Sequence, residues 1–136
     1  MVEIAIEYEG QLRCRAQHGP SGSALFTDAP ADNHGRAESF SPTDLVATAL
    51  GSCMLTVMGI AARTLGVHID GAQVKVQKQM TAVPVRRIAA LVVDLYLPGE
   101  GIADAQRRAL EKAAYTCPVK ESLHADTRLD ISFHWQ

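Results

Sequence analysis

Apolar and polar residues alternate along the first nine positions. Val2, Ile4, Ile6 and Tyr8 fall on one side, and Glu3, Glu7 and Glu9 fall on the other. A period of two places successive side chains on opposite faces of a strand. Gly10-Gln11 marks a turn, and LRCRAQH over 12–18 alternates again, so the pattern predicts a β-hairpin. Cys14 shares a face with Leu12 and Ala16 and reads as a packed strand residue. A short apolar run at Ala24–Phe26 predicts a third strand. Residues 27–40 hold Pro, Asp, Asn and Gly and predict a loop.

The period then changes. Ser41-Pro42-Thr43-Asp44 is a helix start: Ser at the N-cap accepts a backbone N–H, Pro loses no bond at the first helical position, and Asp44 can reach back. The helix is expected over 42–65, with Gly66 as its C-terminal cap. Leu45–Ala62 carries no charge over 18 residues, which is borderline for a membrane span. Thr48, Ser52 and Thr56 interrupt it, and Ala and Gly stand where Leu would be needed. The stretch therefore reads as the central helix of a globular core, apolar nearly all round. Gly51 and Gly59 suit the close approach of another helix, including one from a second subunit.

Two long strands are expected at 72–80 and 85–97, joined by Thr81–Pro84 and hence antiparallel neighbours. Residues 103–115 predict a second helix, 118–123 a short restart, and 128–135 an edge or closing strand. The order ββ(β)–α–ββ–α–β predicts an α+β fold with antiparallel sheets, in one domain spanning 1–136.

Composition narrows the function. At 136 residues, 47% hydrophobic and 21% charged, the chain is an ordinary folded domain. The net charge of −2 and an aromatic content of 5% offer neither a basic field nor stacking surfaces for nucleic acid. The N-terminus carries acids where a signal peptide would carry Lys or Arg. A cytoplasmic protein with free thiols is expected, not associated with membrane. Its three cysteines, Cys14, Cys53 and Cys117, do not form a secreted disulfide framework.

Cys53 lies midway along the uncharged helix, too far from the N-terminus to feel the helix dipole. On spacing alone it reads as a core residue. Cys117 precedes Pro118, which suits an N-cap, and a thiol there faces unpaired N–H groups that can lower its pKa. Local physics thus ranks Cys117 as the more activated thiol, with a plain capping role as the alternative. No CxxC, HExxH or Gly-rich phosphate loop occurs, so neither a metal nor an organic cofactor is expected.

Three stretches together resemble the OsmC/Ohr family (osmotically inducible protein C and organic hydroperoxide resistance). They are SPTDLVATALGSCM at 41–54, the long strands that follow, and TCPVKESL at 116–123. The resemblance implies an OsmC-like fold, with antiparallel sheets packed on a long central helix in an intertwined homodimer. It implies a thiol peroxidase without cofactor, in which Cys53 attacks a peroxide to give a sulfenic acid. Cys117 then condenses with it to a disulfide, which an external dithiol reduces. In the better-studied peroxidases of that family a Glu stands ten residues before the first cysteine and pairs with an activating Arg. Thr43 holds that position here, Asp44 is adjacent, and Arg36, with Arg13 and Arg15 behind it, is the candidate Arg by position. The expected geometry puts the two sulfurs within disulfide reach.

Two other readings stand beside this one. An OsmC-like protein without catalysis would bind a small apolar ligand at the dimer interface, with the cysteines as lining. A hydrolytic or acyl-transfer enzyme would use a cysteine with His124, seven residues after Cys117, as base.

Overall fold

The computed structural model describes all residues, Met1–Gln136. The chain divides into two compact units, Met1–Val46 and Ala47–Gln136.

The first unit is an antiparallel sheet of β1 (Ile4–Gly10), β2 (Arg13–His18) and β3 (Ala24–Asp28), in that order. Gly10 takes a φ of +90° at the β1–β2 turn, a conformation that only glycine adopts without strain. Arg13 Nε and Nη2 donate to the two carboxylate oxygens of Asp28 at 2.8 and 2.9 Å, which ties β2 to the end of β3. Glu38 accepts a further bond from Arg13 Nη2 at 3.3 Å.

The long helix α1 (Pro42–Leu65) starts as its sequence dictates. Ser41 N–H donates to Asp44 Oδ2 at 2.9 Å, and Asp44 N–H donates to Ser41 Oγ at 3.1 Å. This is a capping box with Asp in the reciprocal position, and a cap of this kind stabilises by about 0.5–2 kcal/mol. At the other end Val67 N–H donates to Ala62 O at 3.0 Å and Gly66 N–H to Arg63 O at 3.2 Å. Those two bonds, with Gly66 at φ +72°, form a Schellman stop.

From Ala47 onward α1 belongs to the second unit, with β4 (Gln73–Thr81), β5 (Arg87–Leu97), α2 (Asp104–Ala114), α3 (Pro118–Ser122) and β6 (Arg128–Trp135). The sheet order is β4-β5-β6. β4 and β5 pair antiparallel, as their short connection requires, while β6 runs parallel to β5. A parallel return needs a long crossover, and α2 and α3 supply it.

The core of this unit follows from two periodicities. Leu50, Met54, Met58 and Ala62 recur every four residues on α1. Leu91, Val93, Leu95 and Leu97 alternate on β5. With Leu110 and Ala114 of α2 they make one buried cluster. Each large side chain removed from water there contributes about 1.5–3 kcal/mol.

Two expectations about α1 need correction. The helix is not buried all round within the chain: Ser52 and Thr56 are exposed, and Ile60 is 63% exposed. Gly51 is close-packed against a strand, not a helix, since a Cβ there would lie 2.9 Å from Val76 Cγ2 and 3.2 Å from Val74 Cγ1. Gly59 faces open space. By length and composition α1 is the single helix long and apolar enough to cross a membrane. Its Leu50–Met54–Met58–Ala62 stripe lies in the core, which is where such a helix sits in a globular domain.

Candidate functional site

Cys53 precedes Met54 on α1, so its side chain points about 100° away from the centre of the buried stripe. That places it at the margin of the core, half-buried and packed against the cluster. Cys117 arrives from the other side. Leu110 and Ala114 pin α2 into the core. Thr116 Oγ1 then donates to Ala113 O at 2.7 Å as the helix ends, and Cys117 follows with no exposed surface.

Cys117 is the N-cap of α3, as its place before Pro118 predicts. Its sulfur accepts the N–H of Lys120 at 3.4 Å. Cys53 packs against the same buried cluster and acts on the Cys117 thiol, raising its pKa. Both thiols are free, and so is Cys14, half-buried on β2.

The electrostatics reverse the expectation for Cys117. Burial pushes its pKa up, and Cys53 pushes in the same direction because it favours the protonated thiol. The Lys120 N–H pulls the other way and is outweighed. The cap was legible from Cys117-Pro118, but the burial was not, because it is set by α2 docking through Leu110 and Ala114. Cys117 is thus not the activated thiol that its cap position suggests.

The candidate charged partners belong to the first unit, where Arg13, Arg36 and Asp44 are engaged. Arg13 is forked onto Asp28 and touches Glu38. Arg36 donates to Gln11 Oε1. Arg15 stands opposite Glu7 and Phe26 in the strand register. The Asp44 carboxylate accepts from the Ser41 N–H, so it is the capping acid. Thr43 Oγ1 lies 3.2 Å from Ser41 Oγ.

His124 is exposed, and its Nδ1 accepts the Asp126 N–H at 3.0 Å. That bond ties the ring to its own turn. No group of three His, Cys, Asp or Glu side chains is arranged to hold a metal ion. One charged cluster escaped sequence reasoning: His134 Nε2 lies 2.9 Å from Asp94 Oδ1 and its ring stacks on Tyr96 at 4.8 Å. Only the β5–β6 register, in which Tyr96 faces His134, brings these residues together.

The family profile described as OsmC-like protein matches residues 34–132. Among solved structures, the chain is 40% identical to a protein of Psychrobacter arcticus 273-4, provisionally named an osmotic stress induced and detoxification response protein. The match covers 98% of this chain and 96% of that one, with a TM-score of 0.91. The organic hydroperoxide resistance protein OsmC of Legionella pneumophila is 13% identical, over 98% and 96% of the chains, with a TM-score of 0.78. The organic hydroperoxide resistance protein OhrB of Bacillus subtilis is 13% identical, over 98% and 97%, with a TM-score of 0.67. The last two show the shared fold. No curated protein matches the chain.

Proposed function

We propose, for a chain that belongs to the OsmC-like protein family, that it is a thiol-dependent peroxidase acting on organic hydroperoxides or hydrogen peroxide. Its relatives carry organic hydroperoxide resistance in their names, which supports a peroxide-related role. One observation carries the finer reading: Cys53 and Cys117, remote in sequence, meet in one apolar cluster, where Cys53 raises the pKa of the Cys117 thiol.

In this reading Cys53 is the attacking sulfur. It is the more accessible of the two, and the pKa of its partner is raised. Attack on the outer oxygen of R–O–OH leaves a sulfenic acid on Cys53 and releases the alcohol. Cys117 then attacks the Cys53 sulfur, expels hydroxide and closes a disulfide. An external dithiol reduces it. The apolar surroundings favour organic hydroperoxides over polar ones. The enzyme works as a cytoplasmic homodimer, without metal or organic cofactor.

The test is consumption of cumene hydroperoxide with dithiothreitol as reductant. Wild type turns over, and Cys53→Ser loses at least about a hundredfold in rate, as expected when a nucleophile is removed. Equal rates in the two proteins would overturn the reading.

A further inference from the structure

The exposed flank of α1 borders a cavity that neither Cys53 nor Cys117 lines. Thr56, Gly59, Ile60 and Arg63 stand at i, i+3, i+4 and i+7, so they form one stripe along the helix. At about 100° per residue that stripe lies on the opposite side from Leu50, Met54 and Met58. Beyond the Schellman stop, residues 66–70 line the same space. The cavity is open and measures about 560 Å³. Small-molecule sites occupy roughly 300–1,000 Å³. It belongs wholly to the second unit.

Its lining combines apolar walls with two opposite charges. A Cβ on Gly59 would meet nothing within 4 Å, so the helix leaves the space unfilled. Ile60, Val67 and Ile69 are the apolar walls, and burial of Ile69 in the core fixes the loop that carries it. Arg63 and Asp70 are both exposed and line the same cavity, yet they form no ion pair with each other. Neither side chain has another partner in the chain. The end of α1 at Gly66 also lines the cavity, and its partial negative charge adds to Asp70 in favouring an ammonium. His68 adds a ring that can donate to a carboxylate or accept from an ammonium.

We infer that this cavity binds a short apolar peptide by its two charged termini: Arg63 takes the carboxylate, Asp70 the ammonium, and Ile60, Val67 and Ile69 the side chains. A guanidinium matches a carboxylate in a bidentate fork. A ligand with one charge satisfies half of the lining. An apolar acid leaves Asp70 unmatched, and an apolar amine leaves Arg63 unmatched, so the site selects against both. Length agrees as well. From Thr56 to Arg63 the helix rises about 10 Å, and two extended residues span about 7 Å, so a dipeptide fits along the stripe. The inference stands apart from the peroxidase reading, which uses Cys53 and Cys117.

The experiment is isothermal titration calorimetry of the whole chain with leucyl-leucine at neutral pH. Saturable binding at one site per chain is expected. N-acetyl-leucyl-leucine lacks the ammonium, and leucyl-leucine amide lacks the carboxylate. Each should bind about tenfold or more weakly, the effect of losing one charge-assisted hydrogen bond. Glycyl-glycine should lose at least as much, because it leaves the apolar walls uncovered. Two variants locate the peptide. Arg63→Gln should bind leucyl-leucine and its amide alike, and Asp70→Asn should bind leucyl-leucine and its acetylated form alike. Both residues are exposed, so both variants should fold. Absence of saturable leucyl-leucine binding overturns the inference. So do blocked peptides that bind as tightly as the free one, and variants that discriminate as wild type does.

Discussion

In residues 1–46 the buried side chains are Asp28 and Ser41, both polar, whereas in residues 47–136 every buried side chain is apolar. The contrast does not come from a poorer hydrophobic pattern in the first unit. Val2, Ile4, Ile6 and Tyr8 alternate as cleanly as Leu91, Val93, Leu95 and Leu97. Yet Ile4, Ile6 and Tyr8 stand 56%, 68% and 62% exposed, and the four β5 residues are fully buried. β5 is flanked on both sides within its sheet, and α1 and α2 join its core. β1 is an edge strand. The first unit is held by strand ladders, the Arg13–Asp28–Glu38 cluster and the Ser41 cap, and its apolar side chains on β1 are exposed. Contiguous exposed apolar surface of this kind marks an interaction site. It is the observation that supports the proposed homodimer.

Truncation in the two units separates them most sharply. Leu50→Ala should destabilise by about 2–5 kcal/mol, since a fully buried leucine leaves a cavity as well as losing burial. Ile6→Ala, measured by urea unfolding at concentrations where the chain is monomeric, should cost less than about 0.5 kcal/mol. Comparable losses at the two positions would break the contrast.

The next effect concerns assembly. Paired Ile4→Asp and Ile6→Asp substitutions should convert a dimer to a monomer in sedimentation equilibrium, because charge cannot be buried unpaired at an apolar interface. Wild type sedimenting as a monomer at micromolar concentration, or the doubly substituted protein remaining dimeric, would show that β1 is not the interface.

How far the chain could be read without coordinates follows the same division. The elements were legible throughout: α1 runs over the predicted 42–65, and β6 over the predicted 128–135. Ser41, Asp44 and Gly66 announced the ends of α1 by local chemistry alone. What stayed hidden depended on distant partners. The parallel pairing of β6, the strand rather than helix against Gly51, and the burial of Cys117 are all tertiary facts. The site divides likewise. Cys117 as an N-cap was visible in two adjacent residues, but its raised pKa comes from burial and from Cys53, sixty-four positions away. Local physics therefore gave the Cys117 shift the wrong direction, and resemblance to a family put Cys53 first.

The smallest expected effect lies in the polar anchor of the first unit. The bidentate hydrogen bond from Arg13, together with its charge, holds the Asp28 carboxyl below its ordinary value of 3.8, and burial only partly offsets this. A carboxyl whose pKa is lowered by folding contributes stability above its unfolded pKa, and that contribution is lost as pH falls through the folded one. The loss should therefore begin as pH drops below about 4, given the ordinary value of 3.8. Asp28→Asn keeps the shape of the side chain but removes the charge and the titration. At pH 7 the variant should unfold at a lower urea concentration than wild type, and the gap should narrow through the acid range and close where Asp28 is protonated. Two curves that stay parallel from pH 7 to pH 3 would mean that the ion pair is not linked to folding. The strand ladders and the helix cap would then hold the first unit without it.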